Sequence, residues 1–266
     1  MIGQNRLMID PLNIKKQVLN VAFAANKGHI GSALSIVDIL VGTFNHFKST
    51  NRFDEKSNSI TLSKGHAALA LYCCLFELNL ISKDTLLTYE KDNSIYGTHP
   101  DPEAPWVNFV GGSLGQGFAF ATGNAIADKL SNKSRNHYVI LSDSELNAGV
   151  TWEVATIAGT KEISNLIVIL DNNKQQALDL TKNILIYQNI PESFKSLGWQ
   201  VSEINGHDAI EISKVLNTAY SKPHLIIANT IFGAGISFMK ENVAWHYLPM
   251  DEKQFNLAIN EIENLK

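Results

Sequence analysis

Two neighbouring segments of the chain place polar side chains directly after apolar runs that resemble β-strands. Residues 139–145 end in Ser-Asp-Ser-Glu, and residues 166–173 end in Asp-Asn-Asn. One helical segment separates them, so the unit is predicted to be β-α-β. Parallel strands end at the same edge of a sheet, which is where open α/β proteins bind ligands. We therefore expect Asp143 and Asn173 to lie side by side at that edge.

An Asp carboxylate beside an Asn carboxamide forms a set of hard oxygen ligands. Such oxygens suit Mg²⁺ or Ca²⁺, and an Mg²⁺ ion held by few protein ligands usually carries a phosphate. Ordinary turn chemistry also places Asp and Asn after strands. The pair alone therefore predicts either a metal site or a structural turn, and the rest of the chain must distinguish them.

Composition restricts the class of protein. The chain has 266 residues, of which 45% are apolar and 18% are charged, as in one large globular α/β domain covering residues 1–266. A net charge of -4 without a basic stripe disfavours nucleic acid as a partner. Because no uninterrupted apolar run approaches about 18 residues, we expect no membrane span. The N-terminus has no signal-peptide pattern.

Cysteine usage favours a reducing compartment. The only two cysteines are Cys73 and Cys74. Adjacent residues do not adopt ordinary disulfide geometry, and two cysteines do not build a disulfide framework. We expect a cytoplasmic protein with both residues in the core.

Apolar runs and helical patterns alternate from residue 137 onward. Strands are predicted at 137–142, 166–170, 199–203 and 224–230, with helices at 150–162, 190–197 and 208–221. Further helices are predicted within 13–47 (interrupted at 26–31), 63–80, from 82, at 113–130 and at 251–266. This alternation predicts a doubly wound, mostly parallel sheet flanked by helices.

Four of the eight histidines lie in loops that precede helices, follow strands or are rich in glycine. They are His29, His66, His99 and His246. A single histidine in such a loop is more often solvated or structurally satisfied than catalytic. Four of them in comparable positions indicate a shared site.

An ordered set of motifs gives the chain a specific resemblance to the transketolase family. The motifs are Gly-His-Ile-Gly-Ser (28–32), Ser-Lys-Gly-His (63–66), Gly-Ser-Leu-Gly-Gln-Gly (112–117), Asp-x-Glu-Leu-Asn (143–147), Asp-Asn-Asn (171–173) and Gly-x-Gly-Ile-Ser-Phe-Met-x-x-Asn-x-x-Trp-His (233–246). The resemblance covers about residues 13–250. It is greatest to the diphosphate-binding N-terminal half that some organisms make as a separate subunit, and it implies the thiamine diphosphate-binding fold.

The resemblance implies thiamine diphosphate as the cofactor, bound through Mg²⁺ or Ca²⁺. The implied metal ligands are Asp143, the side-chain oxygen of Asn173 and the main-chain carbonyl of Gln175. The implied cofactor-binding residues are His66, Gly112, Ser113, Leu114, Ser144, Glu145, Asn173 and His246. The implied catalytic residues are His29, His99 and His246, which would surround the reactive carbon and contact sugar hydroxyls.

The resemblance also implies an incomplete active site. In the family, the glutamate that activates the aminopyrimidine belongs to a pyrimidine-binding domain, which this chain is too short to encode after residue 230. A separate C-terminal subunit is therefore expected to supply it, in a heterotetramer that transfers a two-carbon ketol unit from a ketose or ketose phosphate to an aldose. The alternatives are the α subunit of a 2-oxo acid dehydrogenase, a relative of deoxyxylulose-phosphate synthase, and a degenerate, non-catalytic binding subunit.

Three departures from the family pattern favour a specialised reaction. Ser142 and Ser144 stand where the family has glycines on either side of the metal-binding aspartate. Ala148 stands where relatives often have a glutamate that connects paired active sites. Phe232 and Ala234 stand where relatives often carry lysines.

Overall fold

Five parallel strands form the centre of the fold. A computed structural model describes residues 9–184, 189–219 and 221–265. The strands are β1 (Asn58–Leu62), β2 (Asn136–Ser142), β3 (Leu166–Asn172), β4 (Gln200–Asn205) and β5 (His224–Asn229). They pair in the order β1-β2-β3-β5-β4, and every pairing is parallel. The predicted parallel α/β sheet is confirmed.

Helices cover both faces of this sheet. They are α1 (Pro11–Ala25), α2 (Ile30–Ser49), α3 (Ala68–Glu77), α4 (Lys83–Leu86), α5 (Gln116–Leu130), α6 (Gly149–Thr160), α7 (Thr181–Ile184), α8 (Ile190–Ser196), α9 (Ala209–Leu216) and α10 (Glu252–Glu263). Short 3-10 turns follow the strands or the last loop at Gly65–Ala67, Asp143–Asn147 and Val243–His246. All three turns carry residues of the predicted site.

Alternate side chains of the strands enter two separate apolar layers. On β3, Ile169 packs into the layer formed with α1, α2, α3 and α9, whereas Val168 and Leu170 pack against α5, α6 and α8. Both faces of the central strands are thus apolar, as expected for a buried parallel sheet. This arrangement is the doubly wound fold that the sequence predicted.

The sequence analysis missed β1, for a physical reason. Asn58, Ser59 and Thr61 are polar, so the segment lacks the continuous apolar run expected of a buried parallel strand. In the structure all three are buried. Asn108, from the long loop before α5, accepts a hydrogen bond from the Thr61 hydroxyl at 3.0 Å and donates one to the Ser59 hydroxyl. The polar side chains of this strand can be buried only because a loop that is distant in sequence supplies their hydrogen-bond partners.

The sequence analysis also underestimated the apolar length of α2. This 20-residue helix is long and apolar enough to cross a membrane by length and composition, but 94% of its apolar window is buried inside the fold. It packs against α1, α3 and α9. Burial in the protein core accounts for its apolar length.

Several helix boundaries differ from the prediction, and the following two concern α5 and α9. The helix expected from residue 113 begins at Gln116, because Gly115 precedes it with a φ of 81°, in the left-handed region that favours glycine. The helix expected at 208–221 ends at Leu216, and residue 220 lies outside the described residues. Both differences shorten a helix without changing the topology.

Candidate cofactor site

Three of the predicted histidines meet at the carboxyl edge of the sheet. The ring centroids of His29, His66 and His246 lie 5.1–5.3 Å apart. His29 precedes α2 with a φ of 59°, and its main-chain N–H donates to the carbonyl of His246 at 3.2 Å. Residues more than 200 positions apart in the chain are thereby held against each other.

The fourth histidine joins them across a cavity. A Cβ atom placed on Gly112 would lie 3.5 Å from the His99 ring, so His99 packs beside the Gly112 backbone. The cavity has a volume of about 670 Å³. It is lined by His29, His66, His99, Gly112, Leu114, Ser144, Asn147, Gln176, Ala177, Leu178, Ile184, His246 and Tyr247.

Burial keeps three of these imidazoles neutral. Removal from water lowers the pKa of His246 to about 4 and the pKa of His66 well below its usual value. Burial, assisted by the neighbouring His99 and Lys64, also lowers the pKa of His29. A neutral imidazole has one ring nitrogen that accepts a proton and one that donates. The cluster is therefore suited to holding and passing protons near neutral pH.

Asp143 is buried at the end of β2. Ser142 pairs with Asp171 across β2 and β3, so Asp143 and Asn173 follow adjacent strand ends, as predicted. Asp143 is 2% exposed, and one carboxylate oxygen accepts a hydrogen bond from the Thr181 hydroxyl at 2.7 Å. Burial, reinforced by the nearby Asp171, raises the pKa of Asp143 to about 7.

The other two predicted metal ligands lie in the turn after β3. The side-chain oxygen of Asn173 accepts the main-chain N–H of Gln175 at 3.0 Å, and its Nδ2 donates to Asp171 at 2.9 Å. The Gln175 side chain points elsewhere and donates to the carbonyl of Asn242 at 3.2 Å. Asn173 and Gln175 thus lie in the turn after β3, which ends next to the strand that delivers Asp143; their roles as neutral oxygen ligands stay a prediction.

These residues fit a divalent cation that carries an anionic ligand. A raised carboxyl pKa marks a buried charge without adequate compensation, and an oxygen-liganded Mg²⁺ supplies such compensation. Among the described residues, neither Lys nor Arg lines the cavity. The described residues contain no cluster of three or more His, Cys, Asp or Glu able to hold a metal. The candidate ligand set is instead one carboxylate with carboxamide and carbonyl oxygens, which suits Mg²⁺ or Ca²⁺ rather than zinc.

The loop with Gly112, Ser113 and Leu114 is held close to the turn that carries His66. Gly65 and Gly111 face each other, and a Cβ atom on either would come within 2.7 Å of the other's Cα. The loop residues are exposed, and Gly112 and Leu114 line the cavity. The lack of side chains on Gly65 and Gly111 therefore allows this loop to lie at the cavity wall.

The serines that replace glycines do not strain the backbone. Ser142 has a φ of -90°, and neither serine is among the described residues with positive φ. The Ser142 hydroxyl donates to Glu145 at 3.0 Å and lies 2.8 Å from the Ser144 hydroxyl. Because Ser142 has one proton and gives it to Glu145, Ser144 is the donor in the second contact. Ser144 also lines the cavity.

Glu145 lies behind the cavity wall rather than on it. It is fully buried. Its carboxylate accepts the Gly115 N–H at 2.9 Å, the Ser142 N–H at 2.8 Å, and both the Ser142 and Ser63 hydroxyls. Burial raises its pKa. These contacts join three site segments, so Glu145 supports the site from within; direct contact with the cofactor stays a prediction.

Sequence reasoning did not single out several residues of this site. Asn147, Gln176 and Tyr247 line the cavity, and Asn147 Nδ2 donates to the side-chain Oε1 of Gln176 at 2.9 Å. Lys64 and Asp171 form a buried ion pair beneath the site. Each of these residues except Gln176 lies within or directly beside a recognised motif. That position in the sequence could have indicated that they belong to the site.

Comparison with known proteins identifies a matching family. The model of the family described as "Transketolase, thiamine diphosphate binding domain" matches residues 12–262. An apulose-4-phosphate transketolase subunit of Actinobacillus succinogenes is 36% identical over 255 residues, covering 93% of this chain and 91% of that protein. The 6-deoxy-6-sulfo-D-fructose transketolase subunit SqwG of Clostridium sp. is 30% identical over 257 residues, covering 94% of each.

A solved structure shows the same fold in a longer protein. The transketolase of Campylobacter jejuni matches with a TM-score of 0.81 and 27% identity, covering 95% of this chain and 44% of that chain. The present chain therefore spans less than half of that enzyme, but most of the length of the two relatives named as subunits.

Proposed function

We propose, from the premise that this chain belongs to the transketolase family of thiamine diphosphate binding domains, that it is the diphosphate- and metal-binding subunit of a two-subunit transketolase. The enzyme transfers a two-carbon ketol unit from a ketose or ketose phosphate to an aldose. The observation that carries the proposal is a single cavity that joins neutral histidines to the edge where buried Asp143 and Asn173 follow adjacent strands.

The chain's own residues hold the cofactor at this edge. Asp143, the Asn173 oxygen and the Gln175 carbonyl would hold Mg²⁺, which would neutralise the charge of the diphosphate. The Ser144 N–H and His66 would hold the diphosphate and thiazolium end, and Gly112, Ser113 and Leu114 would hold the aminopyrimidine. Bound thiamine diphosphate supplies a carbanion that accepts and stores the two-carbon unit.

The histidines hold and move protons of the sugar. His29, His99 and His246 surround the same cavity, and burial keeps His29 and His246 neutral. The Nδ1 atoms of both rings are buried and have no hydrogen-bond partner among the described residues. Both rings also line the cavity, so we assign them to substrate binding and proton transfer.

Phe232 supports His246 and does not contact phosphate. Its ring is stacked on His246 at 6.2 Å and lies over Gly31, where any Cβ would collide with it at 2.2 Å. This aromatic support replaces a lysine that is common in relatives. No Lys or Arg lines the cavity in the described part of the chain. Both observations favour a specialised sugar and leave any charged group of it to the partner subunit.

A partner subunit covers the cavity mouth and supplies the glutamate that activates the aminopyrimidine. Three large apolar side chains that line the cavity are exposed: Leu114 42%, Leu178 85% and Tyr247 63%. Exposed apolar patches of this kind mark interaction surfaces. The two named relatives are called subunits. We propose a symmetric heterotetramer of two such pairs.

Two further assignments belong to this proposal. Residues 1–266 constitute one cofactor-binding domain, and the enzyme acts in the cytoplasm. Cys73 and Cys74 are free and buried, and burial raises the pKa of both thiols, which keeps them unreactive in a reducing compartment. The relatives of this chain are transketolases, which disfavours the dehydrogenase and deoxyxylulose-phosphate synthase alternatives.

The proposal is tested by cofactor binding to the purified chain. Titration with thiamine diphosphate should show binding that depends on Mg²⁺ and disappears in Asp143→Ala, because the diphosphate loses its bridging cation. Asp92→Ala, at an exposed position, is the control and should bind as the unaltered chain does. Mg²⁺-dependent binding by Asp143→Ala with the affinity of the unaltered chain would refute the metal assignment.

A further inference from the structure

A buried ion pair lies directly beneath the candidate metal site. The side chains of Lys64 and Asp171 are 1% and 0% exposed, and the ammonium donates to the carboxylate. Lys64 belongs to the turn that carries His66, and Asp171 lies near the end of β3. The Lys64 ammonium also lies 3.1 Å from the Ser35 hydroxyl. The pair therefore connects α2, β3 and the His66 turn.

The Asp171 carboxylate accepts four hydrogen bonds, and their donors belong to four different segments of the chain. The Ser35 hydroxyl donates at 2.8 Å and Asn173 Nδ2 donates at 2.9 Å. The Lys64 ammonium and the Thr230 hydroxyl are the other donors. Ser35, Lys64 and Asn173 all donate to Oδ2, whereas Thr230 donates to Oδ1. The oxygen that faces Asn173 is therefore fully engaged by donors of this chain.

These contacts fix which way the Asn173 carboxamide points. An ionised carboxylate cannot donate, so Asn173 must turn its Nδ2 toward Asp171. The Gln175 N–H is a donor at 3.0 Å, so the Asn173 oxygen must face that N–H. Two independent contacts thus select one of the two amide orientations, and the selected one presents oxygen to the turn after β3. A flipped amide would present N–H groups, which cannot bind a cation.

Stability alone does not explain the pair. Taking a lysine and an aspartate out of water costs several kcal/mol per ion, and replacing a buried ion pair by apolar residues of similar volume is often neutral or stabilising. Partners that orient a metal ligand, in contrast, typically change metal affinity by about 10–100-fold. We propose that Asp171, held by Lys64, is a positioning residue that orients the Asn173 oxygen for the metal. This inference rests on the proposed function.

The test compares two buried aspartates. Asp171→Asn keeps the shape of the side chain but lets residue 171 donate, so Asn173 can flip. Titration of Mg²⁺ in the presence of thiamine diphosphate should show about 10–100-fold weaker metal affinity. Asp38→Asn is the matched control, because Asp38 is also buried and forms a 2.9 Å ion pair with Lys15 outside the cavity lining. It should lower the melting temperature to a similar extent and leave the Mg²⁺ affinity unchanged.

A second variant tests the same role in case Asp171→Asn does not fold. Lys64→Met combined with Asp171→Val replaces both charges by apolar groups and should fold, yet it also removes the acceptor for Asn173 Nδ2. It should show the same loss of Mg²⁺ affinity, with a lower melting temperature because the Ser35 and Thr230 hydroxyls also lose their acceptor. Affinity within about twofold of the unaltered chain in either folded variant overturns the inference. Failure of both variants to fold also overturns it, because the pair would then serve the fold itself.

The proposed function and the positioning role can fail separately. If the unaltered chain shows no Mg²⁺-dependent binding of thiamine diphosphate, the proposed function is wrong, and the positioning role falls with it. If the unaltered chain binds and Asp171→Asn binds equally well, only the positioning role is wrong.

Discussion

The main-chain N–H of His29 donates to the carbonyl of His246 at 3.2 Å, and the two rings meet edge to face at 5.1 Å. This contact joins the turn before α2 to the last 3-10 turn of the chain. Gly28 lies against Tyr247 so closely that a Cβ there would be 2.2 Å from the Tyr247 carbonyl oxygen. The two ends of the motif set are therefore packed together, and the histidine cluster depends on both.

Substitution of the cavity histidines should affect catalysis more than folding. His29→Asn, which keeps a residue tolerant of positive φ, and His246→Ala should each lower turnover of the reconstituted enzyme by roughly 10²-fold or more. Their melting temperatures should change little, because the buried Nδ1 atoms of both rings have no partners to lose among the described residues. Steady-state kinetics with a ketose donor and thermal unfolding provide the two measurements.

His46 offers the opposite case and serves as the control for the cavity histidines. It is buried outside the cavity and contacts Asn217 at 2.9 Å and the Tyr138 hydroxyl at 3.1 Å. His46→Ala should lower the melting temperature and spare the turnover of the folded fraction. A cavity variant that behaves like His46→Ala would mark its histidine as structural.

The metal-free chain should be destabilised by Asp143 at high pH. Its folded pKa of about 7 lies above the unfolded value of 3.8, so the folded state holds the proton more tightly and stability falls as the pH rises from about 4 to 7. Asp143→Asn removes this penalty. At about 1.4 kcal/mol per pKa unit, its gain in unfolding free energy should be roughly 2–3 kcal/mol larger at pH 8 than at pH 5.

Chemical denaturation in the presence of a chelator measures that gain. Asp92→Asn, at an exposed position, should show the same small change at both pH values. A gain from Asp143→Asn that is independent of pH would mean that Asp143 titrates normally.

The two serines beside Asp143 should have separable effects. Ser144→Gly should retain or tighten cofactor binding, because the Ser144 hydroxyl points to Ser142 in this structure and its backbone φ is ordinary. Ser142→Ala should lower the unfolding free energy by roughly 1–2 kcal/mol, because buried Glu145 loses a hydroxyl donor. Calorimetric titration and denaturation distinguish the two. A large loss of affinity in Ser144→Gly would show that its hydroxyl is itself a cofactor ligand.

The isolated chain should have no ketol-transferase activity. Without the partner's glutamate, the cofactor lacks an acid–base contribution of roughly 10²–10⁴-fold. An assay with a ketose donor and an aldose acceptor, with and without the partner subunit, tests this expectation. Full turnover by the chain alone would contradict the two-subunit interpretation.

The exposed apolar mouth should be required for assembly. Leu178→Asp, at the mouth of the cavity, should weaken association with the partner subunit. Leu130→Asp provides the control, because Leu130 is 79% exposed at the opposite end of α5. Analytical ultracentrifugation of each variant with the partner measures the effect. If both variants lose assembly to the same extent, the residues at the cavity mouth are not part of the interface.

The sequence by itself determined the sheet and the family. Long apolar strands that alternate with helical patterns leave few topologies for a parallel sheet, and β2, β3, β4 and β5 were predicted within two residues at each end. The ordered motifs also located the edge where the site lies. The roles of individual site residues stay predictions, since they depend on a ligand rather than on the fold.

Only the tertiary structure decided which polar residues are buried and with what partners. β1 was missed because its polar side chains are satisfied by Asn108, which is distant in sequence. Glu145 lies behind the cavity wall because its donors come from three separate segments. Lys64 and Asp171 meet only because parallel strands bring their ends to one edge. Hydrogen bonds and ion pairs between distant segments leave no periodic pattern in a sequence, whereas the burial of apolar faces does.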